Sequence, residues 1–289
     1  MQLTNRPVSA MLAPVFTPHT GFAMHPMLNI AIRAARSAGN TIMRYANRVD
    51  TLAITTKARN DFVTDVDKMA EQEIISTLRR SFPDHGILAE ESGEDIGESE
   101  YIWVIDPLDG TTNFVRGFPQ FAVSIALKHK GRLDQAVVYD PVRQELFTAS
   151  KGAGAQLNNR RIRVTSQTTM EGSLLGTGFP FRQQQYLEAY ISMFRDLFPD
   201  AAGIRRAGAA SLDLAYVAAG RLDGFWEFGL SEWDMAAGAL IIKEAGGIVT
   251  NFRGEDSYLK TGNIICGTPK IHRAILRTIQ PHIPDTVDR

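Results

Sequence analysis

The chain has 289 residues, with 31 Lys plus Arg against 32 Asp plus Glu and a formal net charge of −1. That balance gives no global electrostatic reason to bind nucleic acid or an anionic membrane surface. Hydrophobic residues make up 44% and charged residues 22%, an ordinary globular composition that argues against a disordered or fibrous chain. One cysteine, Cys266, leaves no internal disulfide and no thiolate zinc site, and fits a reducing, cytoplasmic setting. The most apolar stretches, such as 236–242, fall far short of the roughly 20 residues of a spanning helix.

Residues 1–23 carry a single formal charge, Arg6, three prolines (Pro7, Pro14, Pro18) and no helical period. The run 8–16 is the nearest thing to a signal-peptide core, but its proline breaks it, and the segment reads better as an extension. Met24 and Met27 sit where patterned sequence begins, so 1–26 are expected to lie outside the folded unit. From Met27 the pattern is helical, with Ile30, Ala34, Ala38 and Ile42 on one face. A second helix is expected from Thr64, with Asp67 completing a capping box and Met69, Ile74 and Leu78 facing inward. Residues 81–84 stop it. The period then changes. Residues 101–105 form a short apolar run ended by Asp106-Pro107, which reads as a buried strand, and 121–127, 136–139 and 145–149 follow as an antiparallel meander.

After Val164 the order becomes mixed. Strands are expected at 173–176, 224–228, 248–251 and 264–267. Helices are expected at 186–198, at 209–219, from Ser231 through Ala245, where Gly246-Gly247 closes it, and at 271–280. The pattern predicts an α/β chain built in layers, with an N-terminal α+β lobe over 27–165 and a C-terminal α/β lobe over 166–289, and a site between them.

The six histidines (His19, His25, His85, His129, His272, His282) never fall at metal-ligand spacing, which argues against a zinc hydrolase. No nucleophile elbow and no Walker loop occurs. Carboxylates cluster instead at element ends: Asp61, Asp65 and Asp67; Glu90 and Glu91; Asp106 and Asp109; and Asp234. Taken singly, each has a plain structural explanation as a helix cap or a solvated loop. The segment 103–114, Trp-Val-Ile-Asp-Pro-Leu-Asp-Gly-Thr-Thr-Asn-Phe, is different. A hydrophobic strand delivers Asp106 to its end, Pro107 fixes the backbone direction, and Asp109 follows. Two carboxylates and the Leu108 carbonyl form the hard oxygen set that Mg²⁺ prefers. Gly110 permits close backbone approach, so the Gly110 and Thr111 N–H groups can face an anion, and the Thr111 hydroxyl can polarise a water.

The 103–114 segment resembles the first signature of the inositol monophosphatase family. Trp233-Asp234-Met235-Ala236-Ala237-Gly238-Ala239-Leu240 through Glu244-Ala245-Gly246-Gly247 resembles its second. Asp61-Phe62-Val63-Thr64-Asp65-Val66-Asp67 and Ala89-Glu90-Glu91-Ser92 agree in order and spacing. The resemblance runs from about Met27 to the C-terminus. Within the family the chain looks like the bacterial SuhB type, through Gly203-Ile204-Arg205-Arg206-Ala207-Gly208-Ala209-Ala210-Ser211.

The resemblance implies a layered αβαβα sugar-phosphatase-like fold, a homodimer, and Li⁺-sensitive hydrolysis of inositol phosphates with two or three Mg²⁺ ions. Glu90, Asp106 and the Leu108 carbonyl would hold the first ion; Asp106, Asp109 and Asp234 would hold the second. Thr111, paired with Asp67, would orient and help deprotonate the attacking water, and Glu90 is counted with them in catalysis. Gly110 and Thr111 would bind phosphate, and Glu227, Asp109 and Ala210 the polyol. Lys57, near a basic position of the family, is left outside the expected site. Fructose 1,6-bisphosphate and 3′-phosphoadenosine nucleotides are the competing substrates. SuhB-type relatives are also associated with rRNA antitermination, which makes RNA polymerase and Nus factors candidate partners, with Arg160-Arg161 and Arg205-Arg206 as candidate contact charges. No membrane role and no direct nucleic-acid site is expected.

Independently of the family, four ionised carboxylates make six pairs, each repelling by roughly 4 kcal/mol at about 4 Å and an effective dielectric near 20. That sum exceeds the roughly 5 to 15 kcal/mol of stability of an ordinary fold, so such a cluster must hold cations, take up protons or stay apart.

Overall fold

The computed structural model describes residues 25–46, 48, 54–58 and 61–287. The run 8–16 and the rest of 1–24 lie outside the described residues, and at Lys57 and Asp61 only the backbone is described. Helix α1 (Pro26–Tyr45) opens with a proline in its first turn and buries Ala34, Ala38 and Ile42 as expected. Strands β1 (Ile54–Ala58) and β2 (Asp61–Thr64) pair antiparallel and lead into α2 (Asp65–Ser81). Thr64 caps α2 through the expected capping box with Asp67. The inward face of α2 is Val66, Ala70, Ile74 and Leu78. Met69 is instead 36% exposed. It lies five residues before Ile74, about 140° away around a helix of 3.6 residues per turn, whereas the buried set steps by four.

Strands β3 (Gly86–Ala89) and β4 (Gly93–Asp95) form a hairpin. Strand β5 (Tyr101–Asp109) runs four residues beyond the expected end at Ile105. Pro107 is tolerated because the ladder to the neighbouring strand breaks register between Asp106 and Asp109, where no N–H is needed. After the short helix α3 (Thr111–Val115), the expected meander follows as β6 (Ala122–His129), β7 (Arg132–Asp140) and β8 (Glu145–Ser150). The short strands β9 (Gly154–Leu157) and β10 (Arg160–Arg161) extend it. Eight strands make one sheet in the order β10-β9-β8-β7-β6-β5-β3-β4, antiparallel except for β3 beside β5.

The second half supplies β11 (Ser173–Thr177), α4 (Leu187–Leu197), β12 (Ala201–Arg205), α5 (Ala210–Ala218), β13 (Gly224–Glu227) and α6 (Glu232–Glu244). It closes with β14 (Ile248–Thr250), α7 (Tyr258–Thr261), β15 (Ile264–Gly267) and α8 (Pro269–Ile279). Its five-stranded sheet has the order β12-β11-β13-β15-β14.

Side-chain alternation assigns the layers. Along β5 to β8, Ile105, Ile125, Leu127, Val137 and Leu146 pack with α1 and α2 in one core. Val104, Ala126, Ala136, Val138 and Phe147 point the other way, into a core shared with α5 and α6. In the second sheet Phe225 and Cys266 join that same core, while Trp226 and Ile265 face α4 and α8. The result is helices, sheet, helices, sheet, helices: the layered αβαβα arrangement expected of the chain, with no closed barrel. Both sheets are covered on both faces, so their strands read as continuous apolar runs. Among the described residues no helix is long and apolar enough to cross a membrane.

Candidate active site

The end of β5, the α3 turn and the start of α5 meet over one cavity of about 560 Å³. Glu90, Asp106, Leu108, Asp109, Gly110, Thr111, Ala210, Glu227 and Asp234 all line it. Each arrives for a local reason. The β3–β4 turn carries Glu90, whose N–H donates to the Ile105 carbonyl at 3.2 Å. The next two amides, of Glu91 and Ser92, donate to the buried Glu71 carboxylate at 2.8 and 2.9 Å, so the turn is held from both sides. Asp106 is 1% exposed and accepts the Leu108 N–H at 3.0 Å. Asp109 accepts the Ser211 N–H at 2.7 Å and its hydroxyl at 2.5 Å, a bridge between the β5 end and α5. A second bridge is Asn113, whose amide lies 2.8 Å from the Gln120 carbonyl, 3.0 Å from that of Ala207 and 3.2 Å from that of Gly208.

Gly110 has φ +92° and ψ 34°, and a Cβ there would lie 2.8 Å from the Gln120 carbonyl oxygen, so both conformation and space require glycine. Asp67 lies outside the cavity lining. It reaches the site through Thr111, whose hydroxyl donates to Asp67 at 2.9 Å and also lies 3.1 Å from the Leu108 carbonyl. The other Asp67 oxygen accepts the Thr64 N–H at 2.8 Å and hydroxyl at 2.6 Å. Asp234 sits at the third position of α6 and accepts the Ser231 N–H at 2.7 Å, and its carboxyl lies near enough to that of Asp106 to disfavour its ionisation.

The electrostatics follow from this crowding. Burial, then Glu90, Asp109 and Asp234, hold the Asp106 carboxyl well above the ordinary carboxylate range. Burial pushes Asp109 up to about 6, against the pull of the Ser211 hydrogen bonds. Burial and the Asp109 charge push Asp234 up to about 7. Asp67 is raised by burial. A cluster with this appetite for positive charge suits a hard cation.

Sequence reasoning missed several lining residues, among them Asp213, Arg206 and Arg116. Asp213 carries no local sign, sitting between Leu212 and Leu214 in a small-residue helix. Arg206, expected as a surface contact charge, instead lines the cavity with its guanidinium 5.3 and 5.2 Å from the ring centres of Phe179 and Phe181. Arg116 lines the cavity as well. Arg160 and Arg161 are exposed on the edge strand β10.

A sequence profile of the inositol monophosphatase family matches residues 23–283. The chain belongs to the inositol monophosphatase family. It is 60% identical over 271 residues to a protein named Nus factor SuhB from Pseudomonas aeruginosa, covering 92% of this chain and all of that one. Among solved structures, the native extragenic suppressor protein suhB of Bartonella henselae superposes with a TM-score of 0.87 at 42% identity, over 90% of this chain and 100% of that one. An inositol monophosphatase from Anabaena gives 0.79 at 38%, over 90% and 96%. Both structures agree with the layered αβαβα architecture, and the Pseudomonas and Bartonella proteins agree with the SuhB-type resemblance.

Family members generally use Mg²⁺, and the donor chemistry here fits it: Glu90, Asp106, Asp109, Asp234 and the Leu108 carbonyl offer oxygen only. Among the described residues no group of three or more His, Cys, Asp or Glu side chains is drawn together closely enough to hold a metal ion by themselves. Mg²⁺ is ordinarily held by one or two carboxylates, waters and substrate phosphate, so it needs no such group.

Proposed function

We propose that this chain hydrolyses a polyol phosphate monoester, with myo-inositol 1-phosphate as the preferred substrate, giving the free polyol and inorganic phosphate. The observation that carries the reading is the relay from the cavity-facing Thr111 hydroxyl to the buried Asp67 carboxylate at 2.9 Å, beside the Asp106 carboxyl whose proton affinity Glu90, Asp109 and Asp234 raise. The Thr111 hydroxyl has one proton. Donating it to Asp67 turns the oxygen's lone pairs toward the cavity, where they accept a proton from the attacking water. Asp67, buried and raised, takes the proton up. The Gly110 and Thr111 backbone N–H groups face the phosphate, and Glu227, Asp109 and Ala210 border the polyol.

Mg²⁺, held by Glu90, Asp106 and the Leu108 carbonyl and by Asp106, Asp109 and Asp234, would supply Lewis-acid polarisation of the phosphoryl oxygens and neutralise the leaving alkoxide. No side chain needs to become phosphorylated, so Asp67 and Thr111 act only on the proton of the attacking water.

Steady-state phosphate release by the purified protein tests this. Activity on myo-inositol 1-phosphate should vanish in EDTA, return with Mg²⁺, fall with Li⁺, and exceed that on fructose 1,6-bisphosphate or 3′-phosphoadenosine 5′-phosphate. Thr111→Ala should lose about a hundredfold in kcat, the scale of general acid–base catalysis, with little change in KM. Full activity in EDTA refutes the metal site; normal turnover by Thr111→Ala refutes the relay alone.

The 60% identity to a protein named Nus factor SuhB favours a second role, as a homodimer binding RNA polymerase or Nus factors in rRNA antitermination. Complementation of a SuhB-deficient strain by an inactive Asp234→Asn protein distinguishes the roles. Rescue assigns the cellular need to binding; failure despite normal abundance assigns it to catalysis.

A further inference from the structure

Asp213 is a buried carboxyl that the hydrolytic machinery does not use. It lies on α5, is 2% exposed, and lines the cavity one helical turn after Ala210, on the same face. Among the described residues no protein group donates a hydrogen bond to it. A buried carboxyl without donors is costly to keep unless something else in the site supplies them. Its neighbours define what that is. Beyond burial, the Asp213 charge disfavours ionisation of Glu227 on β13, the Asp109 charge disfavours that of Asp213, and Arg206 offsets both. Glu227 rests directly on Gly178, where a Cβ would come within 1.8 Å of its carboxylate oxygen. The Arg206 guanidinium is held over Phe179 and Phe181, so its direction into the cavity is fixed by two rings.

We infer that Asp213 is a specificity-determining residue, which together with Glu227 accepts hydrogen bonds from neighbouring ring hydroxyls of a polyol phosphate. This rests on the phosphomonoesterase reading above and adds a residue to it. Two acceptors side by side match a ring with adjacent O–H donors. A second phosphate at that end meets two carboxyl acceptors, with the Arg206 charge already offsetting both, which weighs against bisphosphates. An ester whose alcohol carries no hydroxyl leaves both carboxyls without partners, and gains nothing from them.

The test compares myo-inositol 1-phosphate with 4-nitrophenyl phosphate, which has the scissile ester and no hydroxyls. Asp213→Ala should raise KM for the inositol ester at least tenfold, leaving kcat within about twofold and both constants for the nitrophenyl ester within about twofold. Asp213→Asn, which keeps shape and one acceptor, should fall between wild type and Asp213→Ala, and carries the test if the alanine protein does not fold. Equal losses on both esters would place Asp213 in support of the metal site and overturn the inference, as would no change on either. A wild-type protein that hydrolyses neither ester overturns the phosphatase reading and this inference together. One that hydrolyses both, with a selectivity ratio unmoved by either variant, overturns the inference alone.

Discussion

At residue 234 one carboxylate closes the first turn of α6 by accepting the Ser231 N–H at 2.7 Å and reaches Asp106 across the site. The two roles separate on substitution. Asparagine retains an oxygen acceptor for the Ser231 N–H but removes the negative charge, so Asp234→Asn should keep its melting temperature within a few degrees. Its rate should fall by about a hundredfold or more, the upper scale on which disturbing a metal site costs activity. Calorimetric titration with Mg²⁺ should show weakened binding in step with the rate; wild-type affinity and turnover would make Asp234 a capping residue alone. Asp106, Asp109, Asp67 and Asp234 were legible in the sequence because the first two close the apolar run of β5 and the others stand in the first turn of a helix, positions where side chains and backbone groups converge. Asp213 was not legible. Its neighbours Leu212 and Leu214 are core residues, and only the packing of α5 turns the face holding Ala210 and Asp213 toward the cavity. Arg206 was misread for a similar reason, since a pair of arginines in sequence says nothing of the two phenylalanines, 25 and 27 positions earlier, that capture one of them.

At the scale of elements, the crossing of α5 and α6 sets the site, because Ser211 grips Asp109 from one helix and Asp234 projects from the other. Their close approach depends on Gly238. A Cβ there would lie 2.5 Å from the Leu214 Cβ, an atom that moves only if the helix moves. Gly238→Ala should therefore force the helices apart and destabilise the fold by about 1 to 3 kcal/mol, the usual cost of overpacking a core. Activity should fall along with stability, since Ser211 and Asp234 ride on the displaced helices. Chemical denaturation followed by circular dichroism reads the first effect and phosphate release the second; a variant unchanged in both would mean the crossing relaxes freely. The sequence marked both helices through Ser231, Gly220 and the Gly246-Gly247 stop, but not their crossing. The strands β1, β2, β3, β4, β9, β10 and β12 also went unread. They are two to five residues long, too short for alternation to register above the noise of composition. The extension of β5 past Pro107 was hidden because proline ordinarily ends a paired strand, and here the register break removes the need for its missing N–H.

Across the whole molecule, the middle helical layer belongs by sequence to the second half yet covers a face of the first half's sheet. Val104, Ala126, Ala136, Val138 and Phe147 all pack in the core that α5 and α6 complete. The small side chains on this face match the small residues of α6, Ala236, Ala237, Gly238 and Ala239, which lets the helix lie close on the sheet. We propose that the lobes 27–165 and 166–289 fold as one cooperative unit rather than as two domains. Removing residues 166–289 strips one face of the eight-stranded sheet and exposes a contiguous apolar patch that soluble proteins do not tolerate. It also takes Ser211 from Asp109, leaving a buried carboxylate without its two donors. A 27–165 fragment should therefore give no cooperative thermal transition and should bind a hydrophobic dye at room temperature. The full chain should melt in a single calorimetric transition whose van't Hoff and calorimetric enthalpies agree. A fragment that unfolds sharply within a few degrees of the full chain would show that the first sheet is stable without its partner layer. In that case the site would be assembled by docking two preformed domains, and binding of Mg²⁺ or phosphate would raise the melting temperature of the full chain without altering that of the fragment.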